Sequence, residues 1–390
     1  MIQFEPDLDR ALFESTLSFA EKQVRSLIDR DPGFYPMYTE GGRWRHEGAL
    51  WTRWCDGFLP GMMWIFARRA ENGGGDRRFW MDKAAEYSRE LEPRQHDTEI
   101  HDHGFLFLST YYRWYQLTRE AKLNDVLIQS GKTMAQRFQE KGQYLRSFVS
   151  ESSIFIDIMM NVGIIFYAAR ETNDRKLREV AIRHALTTRR YLVRGDGSTA
   201  HEGIFDTNSG EFLRQSTQQG WRSDSCWSRG LTWALYGFST SYEYTRDPRF
   251  LATAEACADY YITHTGSDGV PPWDFQAPAD SRKQGDTSAA AIAASGLLRL
   301  CRMLPDPVKG LYYYATALRI LRTLCEDYTA KGDPGWEGVL KGGVYHMHKD
   351  LGVDESVMWG EYFFIEALDN ALRNAPLDRK LSEQNKLTAH

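Results

Sequence analysis

Two kinds of helix-length segment alternate along this chain without exception, and that order constrains the fold more than any other feature. The first kind carries apolar residues on one face only: Ala11 to Ile28, Arg77 to Glu92, Ala121 to Phe138, Asp174 to Val193, Asp247 to Thr265 and Pro307 to Tyr328. In Asp174 to Val193, Leu177, Val180, Ala181, Ala185 and Leu186 recur at i, i+3 and i+4 with Arg and Glu between them. This is the pattern of a surface helix buried on one side. The second kind opens on a polar cluster and runs into small and apolar residues with few charges. Its instances begin at Trp54-Cys-Asp-Gly-Phe58, His101-Asp-His-Gly-Phe105, Ile156-Asp157, Trp227-Ser-Arg-Gly230, Gly285-Asp-Thr-Ser288 and Trp359-Gly-Glu361. A helix that is apolar nearly all round is buried on all sides, so these six are expected as inner helices.

Six inner and six outer segments recurring at intervals of about 45 to 75 residues point to stacked helical hairpins. Their natural closure is an all-α fold, an (α/α)6 barrel of six hairpins in one catalytic domain over residues 1–390, with minor short strands in the loops. The stretch from Gly195 to Leu213 is expected to hold one such strand pair. The connections are rich in Gly, Pro and Asp, as at Asp31-Pro-Gly33, Gly73-Gly-Gly75 and Gly332-Asp-Pro-Gly335, and no low-complexity linker divides the chain. Gly73 to Gly75 lacks the strand and the Lys-Ser/Thr of a phosphate loop and is expected to be a turn.

Composition narrows the class. With 42% hydrophobic and 26% charged residues among 390, the chain can bury a large core. A formal charge of -5 argues against a surface that coats nucleic acid. The five cysteines, at 55, 226, 257, 301 and 325, form no C-x-x-C pair and are odd in number, which fits a reducing cytosol better than a disulfide framework or a zinc knuckle. The start MIQFEPDLDRALFES is acidic where a secretory signal is basic, and no run approaches the ~20 apolar residues of a membrane span. A cytoplasmic protein without nucleic-acid or membrane partners is therefore expected. Aromatic residues make up 13% of the chain, enough to line a pocket as well as fill a core.

The polar clusters stand at the starts of the inner helices, so in a toroid with parallel inner helices they converge on one mouth. Helix N-termini there favour an anionic ligand. Two aspartates stand out. Asp157 lies inside Ile154-Phe-Ile-Asp-Ile-Met-Met160, where an ionised carboxylate is costly, and this is how a general acid of raised pKa is made. Asp102 is the second candidate, although an aspartate at a helix start is equally well explained as a cap. If the two share a site, one pKa is pushed upward, the usual equipment for splitting glycosidic bonds.

His101 and the isolated His201 suit hydrogen bonding to substrate oxygens. The pairs His101/His103 and His346/His348 are poor metal sites, because i, i+2 spacing turns the rings apart and no third ligand is evident, so no metal or cofactor is expected. Around Gln218 to Gly230 the chain gathers Trp221, Arg222, Trp227 and Arg229, with Trp233 one turn on. Arginine can grip a carboxylate bidentately and tryptophan offers a flat face to a sugar ring, or these residues are core and caps. There is no G-x-S-x-G elbow and no G-x-G-x-x-G, which sets aside serine nucleophiles and dinucleotides.

His-Asp-x-Gly-Phe at 101–105, Ile-Asp with Asn four residues later at 156–161, Trp-x-Arg-Gly-x-x-Trp at 227–233, Trp-Asp-Phe at 273–275 and Trp-Gly-Glu-Tyr at 359–362 together resemble the unsaturated glucuronyl hydrolases of glycoside hydrolase family 88. The resemblance runs in order from about Trp54 to about Leu368. It implies an (α/α)6 barrel acting on polysaccharide-lyase products, from which it removes the 4,5-unsaturated uronic acid at the non-reducing end. Position by position it implies Asp157 as general acid/base, Asp102 as the second essential carboxylate, and His101, His201, Gln219, Arg229, Trp233 and Trp54 as substrate contacts. Some members acting on sulfated glycosaminoglycan fragments carry Ser-x-x-Ser-x-Lys before the last inner helix. This chain reads His346-Met-His-Lys-Asp-Leu351 there, which leaves His346, His348 and Lys349 to meet an anion and implies a different leaving sugar. The tryptophan bordering the family's pocket has no clear counterpart, and Tyr144 or Phe148 stands nearest. The rival readings are an unsaturated rhamnogalacturonyl hydrolase and a non-catalytic toroid binding anionic oligosaccharides.

Overall fold

The computed structural model describes residues 6–45, 53–70, 76–280 and 284–373. Its helices run in the order α1 (Pro6–Arg30), α2 (Phe58–Ala70), α3 (Arg77–Leu91), α4 (His103–Phe107), α5 (Tyr111–Thr118), α6 (Ala121–Ala135) and α7 (Ile158–Asn161). They continue with α8 (Gly163–Thr172), α9 (Arg175–Tyr191), α10 (Ser228–Thr245), α11 (Pro248–His264), α12 (Thr287–Leu300), α13 (Pro307–Asp327) and α14 (Met358–Leu372). The outer segments become α1, α3, α6, α9, α11 and α13, each within a few residues of the expected limits. The inner ones become α2, α4–α5, α7–α8, α10, α12 and α14. The turn expected at Gly73 to Gly75 lies outside the described residues.

Burial follows the two sequence patterns. On α12 thirteen of fourteen residues are buried, whereas on α9 only Ala181, His184, Ala185, Thr187 and Thr188 are, with Leu177, Val180 and Leu186 half-buried. The second inner helix is broken between α4 and α5. There the Ser109 and Thr110 hydroxyls donate to the Phe105 and Leu106 carbonyls, each at 2.5 Å, and such back-bonding bends a helix.

Two compact units divide the chain. One comprises Glu47–Tyr260 with Asp274–Ala277, the other Met1–His46, Tyr261–Trp273 and Pro278–His390. In the first, inner helices meet at their starts through glycines. A Cβ on Gly57, just before α2, would lie 2.5 Å from the Phe105 carbonyl oxygen, and one on Gly104 would lie 2.5 Å from Asn161 Cα. No larger residue permits that approach, so α2, α4 and α7 are packed backbone to backbone at one end. Leading into α7 is a three-stranded antiparallel sheet of β1 (Ser153–Phe155), β2 (Glu202–Phe205) and β3 (Phe212–Ser216), in that order. Its second and third strands are the pair expected between Gly195 and Leu213, displaced by a few residues. The other unit holds α1, α12, α13 and α14 and a hairpin of β4 (Gly343–His346) and β5 (Leu351–Glu355). Among the described residues no helix is long and apolar enough to cross a membrane.

Candidate active site

Asp102 and Asp157 occupy the N-cap positions of α4 and α7, and neither side chain makes a capping hydrogen bond. Both carboxyls are turned instead toward histidines: Asp102 Oδ1 lies 3.4 Å from His101 Nε2, and Asp157 Oδ2 lies 3.5 Å from His201 Nε2. The helix starts that carry them are locked together by Asn161. Its Oδ1 accepts the Phe105 N–H at 2.8 Å, and its Nδ2 donates to the Asp157 carbonyl at 3.2 Å. The two histidines are linked in turn by Phe155, whose ring centroid is 5.8 Å from that of His101 and 4.7 Å from that of His201. The two helix starts are thus joined through Asn161 and through the His101–Phe155–His201 ring contacts.

The hydrogen bonds decide the histidine tautomers. His101 Nδ1 accepts the Phe148 N–H at 3.1 Å. His201 Nδ1 accepts the Gln218 and Gln219 N–H groups at 3.0 and 3.2 Å. A nitrogen that accepts from main-chain amides carries no proton, so each ring holds its single proton on Nε2, aimed at an aspartate. Burial also pushes the His101 pKa well below its ordinary value. With Nδ1 accepting from main-chain amides, each ring presents an Nε2–H of fixed direction.

Asp157 Oδ2 is buried with no hydrogen-bond partner, while the side chain as a whole keeps 15% exposure. Burial raises its pKa from 3.8 to about 6, opposed by the positive charge of Arg229. Desolvation, expected from the apolar neighbours of Asp157, is the cause, and Asp102, also expected to raise the pKa, is not among the contributors. Arg229 is 1% exposed, stacks its guanidinium 4.3 Å from the Trp227 ring centroid, and donates to Gln219 Oε1. Trp227 packs on His201 with centroids 4.7 Å apart, whereas Arg222 points outward to Asp224. Trp54, Phe105 and Trp233 form an aromatic row with successive centroids 5.2 and 5.1 Å apart, in which Trp54 is half-buried and Trp233 buried. Of the two pocket-border candidates, Phe148 stands beside His101 at 5.3 Å, while Tyr144 is buried against Phe205. His103 faces away from its neighbour: its Nδ1 pairs with Ser130 Oγ and its Nε2 with the Asp97 carbonyl. Among the described residues no three His, Cys, Asp or Glu side chains gather as metal ligands.

His346 and Lys349 belong to the other unit, on and just after β4; His346 is buried against His348 and Lys349 is exposed. Three residues that hold the site had no assigned role in the sequence. Asn161 and Asp274 sat inside recognised motifs. Asp274 is fully buried and holds the Trp221–Ser225 turn: its Oδ2 accepts the Trp221 N–H at 2.8 Å and the Ser225 hydroxyl at 2.7 Å, and its Oδ1 accepts the Gln276 N–H at 2.9 Å. Arg137 carried no signal beyond its place at the end of an outer segment. Its buried guanidinium donates to the carbonyls of Arg146, Ser147 and Thr98, and burial lowers its pKa to about 10 against the favourable charge of Asp102. It is a cation held close to the second carboxylate.

The sequence model of Glycosyl Hydrolase Family 88 matches residues 38–265. An unsaturated glucuronyl hydrolase of Formosa agariphila is 33% identical over 324 residues, 81% of this chain and 79% of the relative. An unsaturated chondroitin disaccharide hydrolase of Streptococcus pyogenes serotype M1 is 29% identical over 90% of this chain and 89% of its own. Among solved structures, an unsaturated glucuronyl hydrolase specific for heparin matches with a TM-score of 0.84 at 28% identity, covering 96% of this chain and 99% of that one. The unsaturated glucuronyl hydrolase of Bacillus sp. GL1 matches with a TM-score of 0.83 at 26% identity, covering 95% and 98%. The expected all-α, (α/α)6-barrel class is the fold of these neighbours. With the family model covering more than half the sequence and its relatives aligned along most of it, the chain belongs to glycosyl hydrolase family 88 and is a glycoside hydrolase.

Proposed function

We propose that residues 1–390 form one catalytic domain, an unsaturated glucuronyl hydrolase that removes the 4,5-unsaturated uronic acid from the non-reducing end of lyase-generated oligosaccharides. The observation that carries this reading is the pair of non-capping aspartates on adjoining helix starts, one of them with a pKa raised to about 6. The substrate is a vinyl ether, with C4=C5 conjugate to the ring oxygen. Protonated Asp157 gives its proton to C4, and positive charge develops at C5 and the ring oxygen. Asp102, kept ionised beside Arg137, stabilises that charge. The Asp157 carboxylate then takes a proton from the water whose hydroxyl adds at C5, which returns it to its starting state. The hydrated product is a hemiketal that opens and expels the remaining saccharide.

Arg229, with Gln219 on its guanidinium, takes the uronate carboxylate, and His101 and His201 direct their Nε2 protons to the reaction centre. Trp54 at the rim and Trp233 behind it form the apolar wall for the sugar. A carboxylate bound at Arg229 offsets the charge that holds the Asp157 pKa down. The alkaline limb of kcat is therefore expected at higher pH than that of kcat/KM. The lack of the Ser-x-x-Ser-x-Lys pattern at His346–Leu351 argues for a leaving group other than a 6-sulfated hexosamine. We take the enzyme to be bacterial and cytoplasmic, degrading glycosaminoglycan or related polysaccharide fragments; the relatives in Streptococcus and Formosa support the first of these.

A panel of lyase-generated disaccharides, followed by loss of the ultraviolet band of the conjugated alkene, tests the reading. Bleaching by the native enzyme and not by Asp157→Asn is expected. An unchanged band across the panel, with the disaccharides bound, would make the protein a binder. Comparing kcat/KM for 6-sulfated and unsulfated chondroitin disaccharides tests the loop assignment, and a strong preference for the sulfated one would contradict it.

A further inference from the structure

Glu202, on β2 beside His201, is 2% exposed, and no arginine or lysine pairs with it among the described residues. A buried carboxylate without a cation is costly unless neutral donors satisfy it. Two do, one on each oxygen. Ser153 Oγ donates to Oε1 at 2.6 Å, and Gln218 Nε2 donates to Oε2 at 3.1 Å. Each donor leads to one of the two histidines. Ser153 Oγ accepts from Ser147 Oγ at 2.9 Å, and Ser147 precedes Phe148, whose N–H holds His101 Nδ1. Gln218 holds His201 Nδ1 with its own main-chain N–H.

We propose that Glu202 is a positioning residue that ties the Ser147–Phe148 segment to the Gln218–Gln219 segment and so fixes the tautomer and direction of His101 and His201 together. Its charge is not the essential property; its two acceptors, held at opposite ends of one carboxyl, are. Released from Glu202, the Gln218 segment is free to turn, His201 Nδ1 loses its amide donors, and the ring becomes able to carry a proton there. The donor facing Asp157 then has no fixed tautomer. The proposal rests on Asp102 and Asp157 being the reacting pair, but its primary readout does not.

The experiment records side-chain 15N resonances of the histidines across pH 5 to 8, together with kcat and KM, for the full-length native protein and three variants. Glu202→Met removes both acceptors, and Gln218→Met breaks only the His201 side from an exposed position that folding tolerates. Glu202→Gln retains both contacts once the Gln218 amide turns over. In Glu202→Met both histidines are expected to leave the pure Nε2–H form, with kcat down by roughly 10- to 100-fold and KM little changed, the scale of a misplaced catalytic group. Gln218→Met should release His201 alone, and Glu202→Gln should stay within about threefold of the native kcat. If Glu202→Met fails to fold, Gln218→Met carries the test. Native tautomers and kcat in the methionine variants would overturn the proposal. Loss of Asp157→Asn activity alongside those native tautomers would leave the functional reading intact and remove only Glu202 from it.

Discussion

Aspartate starts several helices of this molecule, and it does two different jobs there. On the outer helices α3, α9 and α13, Asp76, Asp174 and Asp306 accept main-chain N–H groups of their own first turns. Asp286 does the same on the inner helix α12, so depth alone does not decide the matter. Asp102 and Asp157 hold the same position on α4 and α7 and decline the bond. A capping carboxylate has its lone pairs engaged by the amides of its own helix. For Asp157, burial without a cap raises the free energy of the ionised form, and in the proposed mechanism that cost lets it hold and hand over a proton near neutral pH.

Removing the ionisable groups should separate the two sets most sharply. Asp157→Asn and Asp102→Asn are each expected to lower kcat/KM by a factor of ~100 or more, in line with the ~10²–10⁴ of general acid–base catalysis. Turnover within tenfold of native in both would place them with the structural caps. Next in size is stability. The folded pKa of Asp157 lies above its unfolded value of 3.8, at about 6, so its stabilising contribution is complete below 3.8 and is lost as pH rises through about 6. Asp157→Asn should therefore be more stable than native at pH 7.5, by up to ~3 kcal/mol at 1.36 kcal/mol per pKa unit, and should lose part of the native pH dependence in denaturant titrations. A variant less stable than native at that pH would count against a strained carboxyl. The smallest effect belongs to the outer caps. Asp174→Ala or Asp306→Ala should cost ~1 kcal/mol in thermal or chemical unfolding and leave kcat/KM unchanged.

The twelve segments were legible because each inner helix is apolar on all faces and each outer one on a single face, a contrast that survives without knowledge of neighbours. The break between α4 and α5 was not, since Ser109 and Thr110 kink the helix only where their hydroxyls find the carbonyls behind them. Asp157 was legible because a charge among Ile, Phe and Met is conspicuous in one dimension, and burial alone accounts for its shift. Asp274, Arg137 and Glu202 were not, because they act by holding loops distant in sequence, and their types are ordinary on any surface. Asp102 and Asp157 lie within one of the two compact units.

The most direct measurement is the titration of the Asp157 carboxyl itself by carbon-13 NMR, assigned by its loss in Asp157→Asn and set beside the pH dependence of kcat/KM. The expected midpoint is about 6, coincident with the fall in kcat/KM as pH rises. A midpoint near 3.8, with kcat/KM indifferent to it, would contradict the assignment of Asp157 as the proton donor.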